Sequence, residues 1–211
     1  KRLQGKRKFL LESSLKHEAS GRYSFIGADP VKEFKGAAHE LKETNLLTSE
    51  EMIHKGKPLE LLKTLLPVIE EHSEFPFNGG AVGYIGYDVI SQYEDIGPAL
   101  LDDRDMPDIH LLVYETIIVY DHLKQDVTIL HTGLNPSKIE EVERHLAVQE
   151  REEVTTPSPL PFTSNVTEQT FIDNVLRAKE LIGAGEIFQV VLSQRLQAPF
   201  TGDCFSLYRK L

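Results

Sequence analysis

The sequence lacks tryptophan, contains one cysteine and has no long apolar run. A single cysteine, Cys204, excludes an internal disulfide and suits a reducing compartment. No apolar stretch approaches the roughly 20 residues that a membrane-spanning helix needs, and no secretory segment opens the sequence. We therefore expect a cytoplasmic protein without a membrane partner.

Positive charge is also scarce, with 23 Lys and Arg against 33 Asp and Glu and a formal net charge of -10. Nucleic-acid binding depends on clustered cations that meet phosphates, so this balance argues against a nucleic-acid partner. The basic run from Lys1 to Lys8 is most simply a solvated strand edge or loop. A hydrophobic content of 40% nevertheless predicts a folded protein with a core.

The two ends of the 211-residue sequence predict a fragment of a longer protein. The first residue is Lys1 rather than Met, and Leu211 falls inside a segment with helical spacing. Composition changes between residues 151 and 166, where three prolines in five residues extend the backbone. We predict a first domain at 1–153, a proline-rich linker at 154–165 and the start of a second domain at 166–211.

Apolar spacing predicts an α+β fold in which antiparallel sheets are flanked by helices. The predicted elements are strands at Lys8–Ser13 and Arg22–Ala28, a helix from Pro58 to about His72, a hairpin within His110–His131 and a helix after Ser137. In the last of these, Ser137 and Glu140 have the spacing of a capping box.

The most informative stretch is Gly185–Arg195, GEIFQVVLSQR, which follows a helical stripe that begins at Phe171 and ends in glycines. Strand alternation places Gln189, Ser193 and Arg195 on one face. The opposite face is apolar and predicts a core; it contains Phe188, Val190, Leu192 and Leu196. An amide, a hydroxyl and a guanidinium in a row exceed what a structural strand needs, which predicts part of a binding site.

Two other segments invite a functional interpretation. The glycine-rich segment 79–88 lacks the spacing of a phosphate loop or dinucleotide fingerprint, so close packing of strands or helices is the favoured interpretation. Residues 10–14, LLESS, place Glu12 and Ser13 beside Leu11, which suits a small amphiphile with an ammonium group. An ordinary surface strand end is the simpler alternative.

Metal and nucleophile motifs are missing from the sequence. None of the eight histidines has the i, i+4 partner and intervening Glu of a zinc helix. Ser193 lacks a Gly-x-Ser-x-Gly setting, and no signature surrounds Cys204. We therefore assign no metal ligand in this chain.

Four motifs agree in order with one family: FLLES at Phe9–Ser13, GRYSFIG at Gly21–Gly27, FNGGAVGYIGYD at Phe77–Asp88 and AGEIFQVVLSQR at Ala184–Arg195. The chain resembles the large subunit of anthranilate synthase (component I), one of the chorismate-utilising enzymes. The third motif is shared with the para-aminobenzoate branch. The family's large subunit is much longer, so the resemblance implies an amino-terminal domain and the opening of the chorismate-binding domain.

The resemblance implies a lyase that converts chorismate and ammonia to anthranilate and pyruvate with Mg²⁺. A glutamine amidotransferase subunit (component II) supplies the ammonia. Relatives that add water to chorismate have a lysine general base where this chain has Gln189. Ammonia is already nucleophilic, so a neutral side chain suffices, which favours amine transfer. We expect the Mg²⁺ ligands and the general acid beyond Leu211.

The resemblance also implies feedback regulation. The family's site for the inhibitor tryptophan uses the motif that matches Leu11, Glu12 and Ser13. Two alternatives stay open: the large subunit of aminodeoxychorismate synthase, and a non-catalytic module that senses amino acids. We expect the fragment alone to be inactive, because Gln189 and its neighbours would form one edge of a pocket.

Overall fold

The computed structural model describes residues 3, 5–12, 21–68, 74–98, 102–148 and 161–210. The chain divides into two compact units, unit 1 at Lys1–Glu150 and unit 2 at Arg151–Leu211. Most of the predicted linker, 154–165, lies outside the described residues. The predicted domain limits stay a prediction.

Unit 1 is built mainly of antiparallel strands. Its strands are β1 Phe9–Leu11, β2 Tyr23–Gly27, β3 Lys32–Ala37, β4 Glu40–Asn45, β5 Glu51–Lys55, β6 Gly80–Ile85, β7 Ile109–Tyr114, β8 Thr116–Asp121 and β9 Asp126–His131. Within the described residues they form a four-stranded sheet, β1-β2-β8-β9, and a five-stranded sheet, β5-β4-β3-β7-β6. The helices are α1 Pro58–Leu65 and α2 Ser137–Ala147, with a 3₁₀ helix at Tyr87–Gln92.

The long β-rich run that begins at His110 is divided between the two sheets. Strand β7 pairs with β3 and β6, whereas β8 pairs with β2 and β9. Glu115 alone separates the two strands. The predicted hairpin is present as β8 and β9, whose paired residues run from Thr116 with His131 to Asp121 with Asp126.

Aromatic and aliphatic side chains fill the space between the sheets. Alternate residues of β8, Ile117 and Val119, pack in one cluster with Tyr114. The Phe9 and Tyr114 rings meet edge to face, with centroids 4.6 Å apart. The Tyr114 hydroxyl donates to the backbone oxygen of Arg7, and burial raises the pKa of Tyr114 to about 12.

A helix covers the outer face of each sheet. Leu62 of α1 packs against Phe34 and Ile109 of the five-stranded sheet. Val142 of α2 packs against Ile118 of the four-stranded sheet. The layers therefore run helix, sheet, sheet, helix, and the predicted α+β fold with antiparallel sheets flanked by helices is confirmed.

One predicted helix end and one predicted helix cap are wrong. Helix α1 ends at Leu65 rather than near His72, and Leu66 is extended with ψ 140. Proline at 67 explains this end, since its ring disfavours helical backbone in the preceding residue. Ser137 does not cap α2; Pro136 stands at the cap position, and Asn135 Oδ1 accepts a hydrogen bond from the Ser137 amide at 3.2 Å.

Close strand packing explains part of the glycine-rich segment. Gly83 lies opposite Leu111 in the β6–β7 pairing. A Cβ at Gly83 would overlap the carbonyl oxygen of His110. This contact agrees with the packing interpretation of the segment.

The described part of unit 2 contains strands β10 Thr163–Ser164 and β11 Leu196–Gln197 and helices α3 Glu168–Gly183 and α4 Cys204–Tyr208. The Thr167 hydroxyl caps α3 by accepting from the Thr170 amide at 3.1 Å. Gly185 follows the helix with φ +80, a left-handed conformation that suits a glycine stop. No helix among the described residues is long and apolar enough to cross a membrane.

The predicted strand at Gly185–Arg195 is wrong over its whole length. Strand structure begins only after it, at Leu196–Gln197, which pairs with Thr163–Ser164. The predicted core face is not buried, since Phe188 is 92% exposed. A strand needs a hydrogen-bonded neighbour, and in the described part of unit 2 a neighbour is present only at that short ladder.

Candidate functional site

Gln189, Ser193 and Arg195 lie in the segment between α3 and β11. Gln189 and Ser193 are exposed, and Arg195 is half-buried. The Gln189 carboxamide is thus not packed among aliphatic neighbours. These three residues are confined to seven positions of one segment, which keeps their polar groups close along the chain.

Hydrogen bonds anchor the carboxyl end of this segment. The Arg195 amide donates to Asn165 Oδ1 at 2.8 Å, and the Asn165 amide donates to the Arg195 oxygen at 3.1 Å. Gln194 Nε2 donates to Ser164 Oγ at 2.9 Å. The backbone at Arg195 is therefore held in place, while the Gln189 end follows the turn after α3.

The LLES motif lies at the end of β1, in unit 1. Leu11 pairs with Phe25 of β2 and its side chain is exposed. Glu12 follows the strand and is exposed. Ser13 lies outside the described residues. Leu11 and Glu12 thus occupy adjacent positions at a sheet edge of unit 1. Gln189, Ser193 and Arg195 lie in unit 2.

A buried carboxylate in β3 was not found from the sequence. Glu33 accepts a hydrogen bond from His110 Nε2 at 2.8 Å, and Lys35 Nζ lies 3.3 Å from the same oxygen. Arg7 Nη1 lies 3.7 Å from the other oxygen. Burial opposes ionisation, but the hydrogen bonds from His110 and Lys35 outweigh it and lower the pKa of Glu33. Strand alternation, which places Glu33 and Lys35 on one face, was the available signal.

A second buried carboxylate, Asp121, ends β8. Arg22 binds it through Nε at 3.1 Å and Nη2 at 2.7 Å. Asp121 also accepts from the amides of Leu123 and Lys124 in the hairpin turn. The hydrogen bond from Arg22 holds the pKa of Asp121 well below its usual range. These hydrogen bonds and ion pairs give both carboxylates partners within unit 1.

The described residues contain no group of three or more His, Cys, Asp or Glu that could hold a metal ion. The predicted requirement for Mg²⁺ stays a prediction, and its ligands were expected beyond Leu211. No described residue of this chain is therefore assigned to the ion.

The chain belongs to the chorismate-binding enzyme family, whose profile matches residues 6–211. It is similar to anthranilate synthase component 1 of Lactococcus lactis, with 34% identity across 100% of this chain and 48% of the relative. The crystal structure of anthranilate synthase component I from Streptococcus pneumoniae matches with a TM-score of 0.75 and 33% identity, over 99% of this chain and 48% of that chain. The resemblance inferred from the motifs is confirmed.

Aminodeoxychorismate synthase component 1 of Bacillus subtilis is also similar, with 33% identity over 96% of this chain and 44% of the relative. The chain spans about half the length of the curated relatives it matches. Membership of the family is therefore shown.

Proposed function

We propose that the chain is part of an anthranilate synthase large subunit, acting in the cytoplasm in tryptophan biosynthesis. The observation that supports this best is the match of the whole chain to the Lactococcus lactis component 1. In this reaction ammonia adds to the ring of chorismate as a hydroxyl leaves. The enolpyruvyl side chain is then eliminated as pyruvate, which makes the ring aromatic.

Gln189 is the proposed catalytic residue of this chain. Ammonia carries its own lone pair at nitrogen and needs no general base to become a nucleophile. A neutral carboxamide can orient ammonia or the ring by hydrogen bonds, because it both donates and accepts. The exposure of Gln189 agrees with a group that meets a substrate rather than a core.

Ser193 and Arg195 are proposed to face the substrate. Chorismate is an anion, and a guanidinium binds carboxylates with two parallel hydrogen bonds. The hydrogen bonds that the Arg195 backbone makes with the Asn165 side chain and amide would hold the base of that side chain at a constant position. Mg²⁺ would supply further charge neutralisation when bound, through ligands outside this chain.

Two further parts of the proposal concern partners. A glutamine amidotransferase subunit would deliver ammonia, and tryptophan would inhibit through Leu11, Glu12 and Ser13. The support for the inhibitor site is chemical. The Glu12 carboxylate matches the ammonium of an amino acid, and exposed Leu11 offers apolar contact to an indole.

The activity is tested by supplying chorismate, ammonium and Mg²⁺ and measuring anthranilate fluorescence. We expect no product from the 211-residue chain alone. A hybrid that joins this chain to the remaining half of the Lactococcus lactis relative should form anthranilate. Anthranilate from the chain alone would contradict the inactivity of the fragment, and an inactive but folded hybrid would contradict the assigned activity.

The role of Gln189 is tested in the same hybrid. Gln189→Lys should lower ammonia-dependent turnover by about 10²-fold, the scale of a lost positioning or acid–base contribution. Gln169→Lys on α3 makes the same change of charge on an exposed helix face and should leave turnover unchanged. Equal rates for the two variants would remove Gln189 from the mechanism.

Aminodeoxychorismate synthesis is a second candidate, favoured by the similarity to the Bacillus subtilis relative. The two reactions differ in the fate of the enolpyruvyl group, which only anthranilate synthesis releases as pyruvate. The complete open reading frame that contains this chain should therefore be assayed with lactate dehydrogenase and NADH. One pyruvate for each chorismate consumed supports anthranilate synthase, and aminated product without pyruvate supports the alternative.

A non-catalytic amino-acid sensor makes a different prediction. Such a module would bind tryptophan as the isolated 211-residue chain. We expect calorimetry to show no heat with this chain and saturable binding with the complete protein. Tight binding by the chain alone, in a complete protein without turnover, would favour the sensor.

A further inference from the structure

A cavity of about 240 Å³ lies in unit 1 between α2 and the outer face of the four-stranded sheet. Its apolar lining includes Leu3, Ile26, Ile118 and Val142. Its polar lining includes Glu115, Thr116, His131, Lys138, Glu141 and His145. The volume falls just below the roughly 300–1,000 Å³ of pockets for drug-sized ligands, so the cavity suits a smaller molecule. It shares no residue with the candidate sets described above.

Carboxylates outnumber ammonium groups around the cavity. Three carboxylates and one ammonium line it, those of Asp29, Glu115, Glu141 and Lys138. Lys138 Nζ is paired with Glu141 Oε2 at 2.7 Å, and Asp29 Oδ1 accepts from the Lys6 amide at 2.7 Å. The Glu115 carboxylate has neither a hydrogen bond nor an ion pair within the described residues. Glu115 therefore presents an unused negative charge at the cavity.

An imidazole stands beside this carboxylate. His131 Nδ1 is hydrogen-bonded with Thr116 Oγ1 at 2.8 Å, across the β8–β9 pairing. His131 Nε2 is buried and has no partner within the described residues. When Thr116 accepts from Nδ1–H, the neutral ring offers Nε2 as a hydrogen-bond acceptor. A buried polar atom without a partner is costly, and an occupant of the cavity is one source of the partner.

The missing side chain of Gly133 leaves room for these two groups. The point where a Cβ on Gly133 would stand is 2.8 Å from His131 Cε1 and closer still to Glu115 Oε2. The Glu115 carboxylate and the His131 ring thus lie next to each other at the edge of the cavity, and both offer acceptors when Nδ1 carries the proton. An ammonium group has three donors and would satisfy both, while its apolar skeleton would contact Ile26 and Val142.

We infer that this cavity binds a small organic cation, namely a primary amine on an apolar skeleton of about ten non-hydrogen atoms or fewer. A carboxylate ligand would meet an excess of negative charge. The described residues also contain no group of three metal-ligating side chains, so a metal ion is not the inferred occupant.

The inference is tested by calorimetry on the 211-residue chain with 2-phenylethylamine, 2-phenylethanol and phenylacetate at neutral pH. We expect saturable binding of the amine, with an affinity at least tenfold above that of the alcohol and no measurable binding of the anion. Equal affinities for amine and alcohol, or absence of saturable amine binding, would overturn the inference. This comparison requires no variant.

Two matched variants then locate the site. Glu115→Gln removes the unused charge at constant shape and should weaken amine binding about tenfold, with little change for the alcohol. Glu40→Gln makes the same change at an exposed position outside the cavity and should leave affinity unchanged. Thermal melting checks that both variants are folded. The same affinity for both variants would exclude Glu115 as the ammonium partner and sink the proposal.

Discussion

The same kind of apolar pattern is buried in unit 1 and exposed in unit 2. All of the buried hydrophobic residues within the described ranges belong to unit 1, where two sheets and two helices cover one another. In unit 2, α3 has an apolar stripe of Phe171, Val175 and Ala178, but none of its residues is buried. Periodicity therefore shows which face of an element is apolar, whereas burial requires a second layer to pack against it.

The largest expected difference in unfolding free energy between the two units comes from substituting one isoleucine in each. Ile117 is 0% exposed between the sheets of unit 1, and Ile172 is 43% exposed on α3. Ile117→Ala should reduce the free energy of unfolding by about 2–5 kcal/mol, because it leaves a cavity. Ile172→Ala should change it by about 0.5 kcal/mol or less. Urea unfolding followed by circular dichroism measures both, and similar losses would show that α3 is as well packed as β8.

A pair of glycines gives the next largest contrast. Gly83→Ala would bring a methyl group against the His110 carbonyl and should cost about 1–3 kcal/mol of unfolding free energy, since backbone has to move. A Cβ at Gly183, the last residue of α3, would meet nothing within 4 Å. Gly183→Ala should be neutral or stabilise by up to about 1 kcal/mol. The same denaturation assay applies, and a destabilised Gly183 variant would reveal a packing partner for the end of α3.

The smallest expected difference in stability at neutral pH is between the losses of two ion pairs, one in each unit. Asp121 is buried against Arg22, whereas Glu180 and Arg177 form an exposed pair at 2.9 Å on α3. Asp121→Asn should lower Tm at pH 7 by clearly more than Glu180→Gln, which should change the unfolding free energy by about 0.3–0.5 kcal/mol.

The effect of Asp121 depends on pH in a defined direction. Its pKa is lower in the folded protein than in the unfolded chain, so its stabilisation is complete above the unfolded value of about 4. That stabilisation is lost as the pH falls through the lower folded pKa. The Tm difference between wild type and Asp121→Asn should therefore narrow below about pH 4. A constant difference from pH 7 to pH 2 would contradict the role of the charge.

Local signals account for the elements that were predicted correctly. The hairpin of β8 and β9 follows from two apolar runs around a polar turn, and the end of α3 follows from its glycines. The division at Glu115 depends on which distant strands pair with β7 and β8, information that no short window contains. The end of α1 could have been predicted from Pro67. Its effect on the backbone of Leu66 outweighs the apolar spacing that continues beyond it.

The prediction of candidate site residues is limited in the same way, because a short sequence window does not show which distant residues meet. Gln189, Ser193 and Arg195 were found because their chemistry alternates within one segment, and their roles stay predictions. The cavity with Glu115 and His131 was not found, since these residues are sixteen positions apart and meet only through the β8–β9 register and the approach of Gly133. Such sites depend on tertiary packing, and the only sequence hint is a histidine at a strand end.

The single residue between β7 and β8 has a mechanical consequence. Both strands are interior strands, each hydrogen-bonded on two sides, and Glu115 joins them covalently across the sandwich. A slip of one strand along its neighbours would drag the other out of alignment. Amide protons in the middle of both sheets should thus exchange with solvent together, in a shared opening of the two sheets rather than in two independent ones.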